Sequence, residues 1–193
     1  MRRSWPGMIL VLLLAGCHSA PTQFYTLTSS AGASRVPFAF SRALPVVVAR
    51  VELPGDLDRD AFVTRVGPNR LNVSDTDRWG GPFDEMIQRV LASDLSSRLP
   101  AGMVLAPGDP VPASGARTVK LTIRQFMGDS NGHVVLEADW SLLSGNPPKP
   151  QLIRHEQLFD NAGSNHAAAI VATMSHLLAR LADRIADTVA ASR

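Results

Sequence analysis

The sequence predicts an α/β fold: a single domain in which a mixed β-sheet containing an antiparallel meander carries two main helices. Three observations lead there. Strand-like and helix-like stretches follow one another in the order strands, helix, strands, helix, a pattern that places helices against a sheet. Residues 117–127 alternate, with Val119, Leu121 and Ile123 on one face and Lys120, Thr122 and Arg124 on the other, the period of a half-exposed strand. Two longer segments carry apolar stripes at helical spacing: Phe83, Ile87, Val90, Leu91, Leu95 and Leu99, and then Ile170, Met174, Leu177, Leu178, Leu181, Ile185 and Val189.

The first sixteen residues stand apart from the domain. Arg2 and Arg3 make a positive end, and Met8 to Leu14 is an unbroken apolar run. Leu14, Ala15 and Gly16 then precede Cys17, the single cysteine of the chain. This is signal-peptide anatomy, and the apolar run is far shorter than the roughly 20 residues that span a bilayer as a helix. Residues 1–16 are therefore expected to be a lipoprotein signal peptide and 17–23 a lipidated tether, leaving 24–193 as the folded domain.

Cys17 has four readings. A disulfide needs a thiol from a second chain, a zinc or redox site needs further ligands and none is nearby, and a buried structural thiol sits badly behind a signal. The fourth is a lipobox, Leu14-Ala15-Gly16-Cys17. The small residues at 15 and 16 suit a peptidase cleft, the thiol takes a diacylglycerol, and cleavage leaves Cys17 as an N-terminus that receives a further acyl chain. One chain holds a protein only reversibly, whereas two or more hold it durably. No other cofactor is expected. His18 rather than Asp follows the cysteine, which by resemblance to sorted bacterial lipoproteins implies the outer membrane, facing the periplasm.

Removing the signal changes the charge. The intact chain has 19 basic and 17 acidic residues; losing Arg2 and Arg3 leaves 17 of each. The remaining arginines and lysines are scattered, without the run or stripe that a nucleic-acid footprint needs, so no nucleic-acid partner is expected.

Along the mature chain, Phe24 to Leu27 is a brief first strand and residues 29–43, with Gly32 and Pro37, a loop. Pro45 to Leu53 is a β-branched run bounded by prolines, as a buried central strand would be. Gly55 to Asp60 is a turn. Ala61–Val66 and Arg70–Val73 flank Gly67-Pro68-Asn69 as a hairpin, and Asp75 to Gly81 leads into a helix. That helix runs from Pro82, suited to a first helical position, to Leu99. Asp84 and Glu85 match its positive end, Arg98 its negative end, and Pro100 stops it.

Met103–Ala106 is a short strand before a Pro/Gly loop. Three strands follow, Arg117–Met127, His133–Leu143 and Gln151–Asp160, joined by turns at Asp129–Gly132 and Ser144–Pro150, which make the meander. The final helix starts near Ser164 or Asn165 as N-cap and ends near Ala191, with Arg180, Asp183, Arg184 and Asp187 expected to face water.

Little here suggests catalysis. Asp56, Asp58 and Asp60 open like a calcium loop, but Ala61 stands at the sixth position and Gly67 at the twelfth where glycine and glutamate belong, so a solvated turn is the better reading. The histidines at 18, 133, 155, 166 and 176 show no helical zinc spacing, and there is no nucleophile elbow, phosphate-binding loop or dinucleotide fingerprint. The chain is expected not to be an enzyme. What remains is a cluster before the first helix: Asn69, Asp75, Asp77, Arg78 and Trp79. Either Trp79 fixes the helix start in the core, or Arg78 and Trp79 form a partner-binding anchor.

Several of these residues occur in a familiar order. Phe24-Tyr25-x-Leu27, Val51-x-Leu53-Pro54, Leu57-Asp58-Arg59, Arg78-Trp79-x-x-Pro82-Phe83-Asp84, Leu95 with Leu99-Pro100, and a strand-turn-strand ending in Trp140 follow a lipobox. In that order the chain resembles the PqiC family of ABC-type transport auxiliary lipoproteins over nearly the whole mature chain, with Gly80-Gly81 as a departure. The resemblance implies a periplasmic adaptor on the outer membrane that supports membrane integrity. Its implied partner is a mammalian-cell-entry (MCE) protein of a PqiABC-like intermembrane lipid transport system. Homo-oligomerisation in a ring to match an oligomeric partner is a further expectation. The alternative is a periplasmic lipid carrier with its own apolar cavity between the sheet and the final helix.

Overall fold

The computed structural model describes residues 20–32 and 44–192; the expected signal peptide at 1–16, Cys17 and His18 lie outside the described residues. Eight strands and two helices run in the order β1 (Gln23–Tyr25), β2 (Val46–Val48), β3 (Ala61–Gly67), β4 (Arg70–Trp79), α1 (Phe83–Arg98), β5 (Val104–Leu105), β6 (Arg117–Gly128), β7 (His133–Ser144), β8 (Lys149–Asn161) and α2 (Ala167–Ala191). The α/β class and the meander stand as expected. The strands divide between two sheets, one of three strands in the order β1-β4-β3 and one of five in the order β5-β2-β6-β7-β8.

The five-stranded sheet is mixed for a reason visible in its connections. β6, β7 and β8 are joined by short turns and pair antiparallel, whereas β2 lies parallel to both β5 and β6. Parallel neighbours need a long crossover. The crossover from β2 to β5 is the whole β3–β4–α1 unit. β2 is shorter than the Pro45–Leu53 run suggests, but the chain stays beside β6, where the amide of Glu52 donates to the Leu121 carbonyl at 3.0 Å.

In β6, Val119, Leu121 and Ile123 face the core. Continued strictly, the alternation would turn Gln125 inward and Phe126 outward. A bulge between Ile123 and Gln125 shifts the phase by one residue, so that Phe126 is buried, while Arg124 stays on the outer face and donates to Asp139 at 2.6 Å. β7 keeps its phase throughout, with Val134, Leu136, Ala138, Trp140 and Leu142 buried.

The two helices cover this inner face and pack on each other. All seven residues of the α2 stripe are buried, as are those of α1. Pro82 is the N-cap of α1, one residue before the position expected, and the amide of Leu99 closes its last turn onto Leu95. α2 begins with His166 as N-cap, neither Ser164 nor Asn165, and no side chain caps it; the Ser164 hydroxyl instead accepts from the His166 amide at 3.1 Å. At the other end Arg117, buried at the start of β6, donates through Nη1 to the Ser192 carbonyl and hydroxyl, closing α2 onto the sheet.

β4 is longer than the expected Val73 end. The chain bulges at residues 74–77 and then resumes pairing at Arg78 opposite Ala61. Ser74 organises the bulge: its hydroxyl accepts the amides of Thr76 and Asp77 and donates to the Asp77 carboxylate at 2.9 Å. The helix lead-in is thus strand. That single fact decides where Arg78 and Trp79 point.

Candidate functional site

Side chains of successive strand residues leave opposite faces of a sheet. β1 runs parallel to β4 with Phe24 beside Arg78 and Tyr25 beside Trp79. Trp79 therefore points into the core, 5% exposed, while Arg78 shares the outer face with Phe24. The joint Arg78–Trp79 anchor is not one surface: the strand separates the two side chains. Trp79 does what the packing reading assigns to it. Its ring stacks on Phe83, the first residue of α1, at 4.3 Å and 11°, and meets Phe62 of β3 edge-on at 5.2 Å. Phe83 continues the stack to Phe126 at 5.8 Å, and Tyr25 closes on Phe62 at 6.1 Å. Five aromatic rings thus join both sheets and the helix start.

The small residues after Trp79 serve β1. The Gly80 amide donates to the Tyr25 carbonyl at 2.8 Å, and a Cβ on Gly80 would stand 3.3 Å from that oxygen. Tyr25 donates its hydroxyl to Asp77 at 3.1 Å, and partial burial together with the Asp77 carboxylate raises its pKa. The first strand is thereby fixed by both main chain and side chain.

The segment after β1 is a strap over the helices. The amide of Thr28 donates to the Ser175 hydroxyl on α2 at 3.2 Å. Ser30 donates to the Asp94 carboxylate on α1 at 2.7 Å, and Gly32 to the Ser97 hydroxyl at 3.1 Å. Arg98 returns a bond from Nη1 to the Ser30 carbonyl at 3.0 Å while its Nε donates to Asp183 of α2 at 2.8 Å. Asp183 thus does not simply face water, and Arg98, placed by sequence at the helix end for its charge, is buried. Helical spacing located both residues; only the crossing of α1 by α2 brings them together. The Asp94 side chain is fully buried, with one carboxylate oxygen lacking a partner, and burial pushes its pKa up to about 6 despite the Ser30 amide and Arg98.

Elsewhere the polar groups form local pairs. His155 bonds Asp139 at 2.8 Å on the open face of the large sheet, His176 bonds Asp160 at 3.0 Å and His133 bonds Asp129 at 3.3 Å. Among the described residues no group of three or more His, Cys, Asp or Glu is placed to hold a metal ion. Asp56, Asp58 and Asp60 occupy the turn before β3, where the Asp60 carbonyl accepts the Trp79 amide at 2.7 Å.

The space between the large sheet and α2, where a lipid cavity would lie, is occupied by packed side chains including Leu136, Trp140, Met174, Leu178 and Leu181. A cleft of about 340 Å³ lies instead beside the α1 start. It is lined largely by charged residues, Arg50, Glu52, Asp58 and Asp84, with Arg50 donating to Asp84 at 2.8 Å. Its chemistry does not suit acyl chains. Among the described residues no helix is long and apolar enough to cross a membrane.

Residues 25–186 match the model of a family described as the ABC-type transport auxiliary lipoprotein component. The chain is 26% identical over 143 residues to the intermembrane transport lipoprotein PqiC of Escherichia coli K12, covering 72% of this chain and 74% of that protein. PqiC of Shigella flexneri matches equally. Among solved structures, an uncharacterised protein shares the fold at a TM-score of 0.74 with 19% identity, covering 88% of this chain and 99% of that one. A Xanthomonas campestris protein does so at 0.70 with 17% identity, covering 86% and 93%.

Proposed function

Because the chain belongs to the family of ABC-type transport auxiliary lipoprotein components, we propose that it is the outer-membrane lipoprotein subunit of an intermembrane lipid transport system. It is held by acyl chains on Cys17, faces the periplasm and acts as a non-catalytic adaptor for an MCE-type protein. Several copies assemble on that partner, and the complex supports membrane integrity. The observation that carries this reading is the family match across almost the whole folded body, together with relatives whose name is intermembrane transport lipoprotein.

The packed interior favours an adaptor over a lipid carrier, since the sheet–helix space is filled by side chains. A body of this kind contributes position: the aromatic stack and the strap make a rigid block at the end of a short tether. The test is deletion of the protein in its own cell, combined with cross-linking and affinity capture of the full-length lipoprotein from solubilised membranes. Loss of the outer-membrane barrier to detergent and capture of an MCE protein are expected. An intact barrier with no MCE protein captured would overturn the proposal.

A further inference from the structure

We propose that the Phe24–Arg78 face is a second membrane contact, seated in the headgroup layer of the membrane that carries the lipidated Cys17. It rests on the anchor reading above and adds to it a defined orientation of the body. Phe24 is 68% exposed on the outer face of β1. Other large apolar side chains are also exposed singly, among them Ile153 and Phe159 on β8, and such exposure is ordinary in itself. What distinguishes Phe24 is its place. It lies seven positions after Cys17, so even a fully extended tether keeps it within about 25 Å of the acylated residue.

The chain has no slack beyond that point. Gln23 to Tyr25 is already paired with β4, and Thr28, Ser30 and Gly32 are bonded to the helices. The body therefore keeps β1 within about 25 Å of the acylated residue, the reach of the extended tether. The chemistry of the face suits lipid headgroups. An aromatic ring enters the interface while a guanidinium beside it binds phosphate. Arg78 is available for this, as no described residue accepts a hydrogen bond or ion pair from its side chain. Tethering makes the contact intramolecular, so a weak interface suffices to hold the orientation.

Full-length Phe24→Trp protein, purified from membranes and reconstituted into phosphatidylethanolamine–phosphatidylglycerol vesicles with brominated acyl chains, reads the contact directly. The domain's own tryptophans, Trp79 and Trp140, are 5% and 1% exposed, and the parent protein gives their background. Emission from position 24 is expected to shift to the blue and to be quenched at least twofold more than emission from an Ile153→Trp control in the other sheet. Adding Arg78→Glu should reduce that quenching by half or more. Quenching at 24 no greater than at 153, or unaffected by Arg78→Glu, would overturn the proposal. Intact mass separates it from the anchor reading. A lipidated chain unquenched at 24 removes the second contact and leaves the anchor, whereas an unlipidated chain quenched at 24 does the reverse.

Discussion

Arg98 Nε donates to Asp183 Oδ1 at 2.8 Å, joining the last turn of α1 to the middle of α2 from inside the molecule. The same guanidinium binds the Ser30 carbonyl and the Asp94 carbonyl, so one side chain holds two helices and the N-terminal strap. Removing one partner of a buried charged network leaves the others uncompensated. Arg98→Ala is expected to cost about 3–5 kcal/mol in urea unfolding followed by circular dichroism. Arg98→Lys, which keeps the charge without the fork, should lose less.

The strap adds a steric test. A Cβ on Gly32 would lie 2.6 Å from Arg98 Cγ and 2.7 Å from Cζ. The Arg98 side chain is bonded on both sides and has nowhere to move. Gly32→Ala is expected to cost about 1–3 kcal/mol as overpacking, and to speed amide exchange at Ser30 before that of the sheet.

Asp94 gives stability a particular pH dependence. Its folded pKa, raised by burial to about 6, lies above the ordinary 3.8. Between those values the folded chain holds a proton that the unfolded chain has released, so this group's contribution is full below about pH 4 and is lost as pH rises through 6. Asp94→Asn cannot lose it. The difference in unfolding free energy between variant and parent should move in favour of the variant by on the order of 2 kcal/mol from pH 4 to pH 7. A difference independent of pH over that range would contradict the burial of this carboxyl.

The division of neighbours in β4 is testable by paired truncation. Trp79→Ala removes the ring that bridges Phe62 and Phe83 and should cost about 3–5 kcal/mol. Arg78→Ala, on the outer face, should stay within about 0.5 kcal/mol. Thermal melts of the two variants decide it.

Cys17→Ala should leave folding and melting temperature unchanged while moving the protein from the membrane fraction to the soluble fraction. Cell fractionation and intact mass provide the readout. A variant that fails to fold would mean that the cysteine has a structural role.

Features that depend on local period and covalent order are legible in the residues themselves. The two apolar stripes, the alternation in β6 and the turns of the meander are each written within a dozen or so residues, where helix and strand geometry leaves few options. The strand inside the helix lead-in at Asp75–Gly81 leaves no local pattern because a bulge interrupts its period and Ser74 satisfies the backbone that the missing pairing leaves free. The remaining features arise from long-range packing. Arg98 and Asp183 lie 85 residues apart and meet because two helices cross. Phe24 and Arg78 share a face because a strand from the start of the chain adds, in parallel, to the edge of a hairpin. Neither meeting leaves a local pattern: the energy that fixes it comes from burying side chains distant in sequence, and no short stretch of residues records which distant partner will cover it.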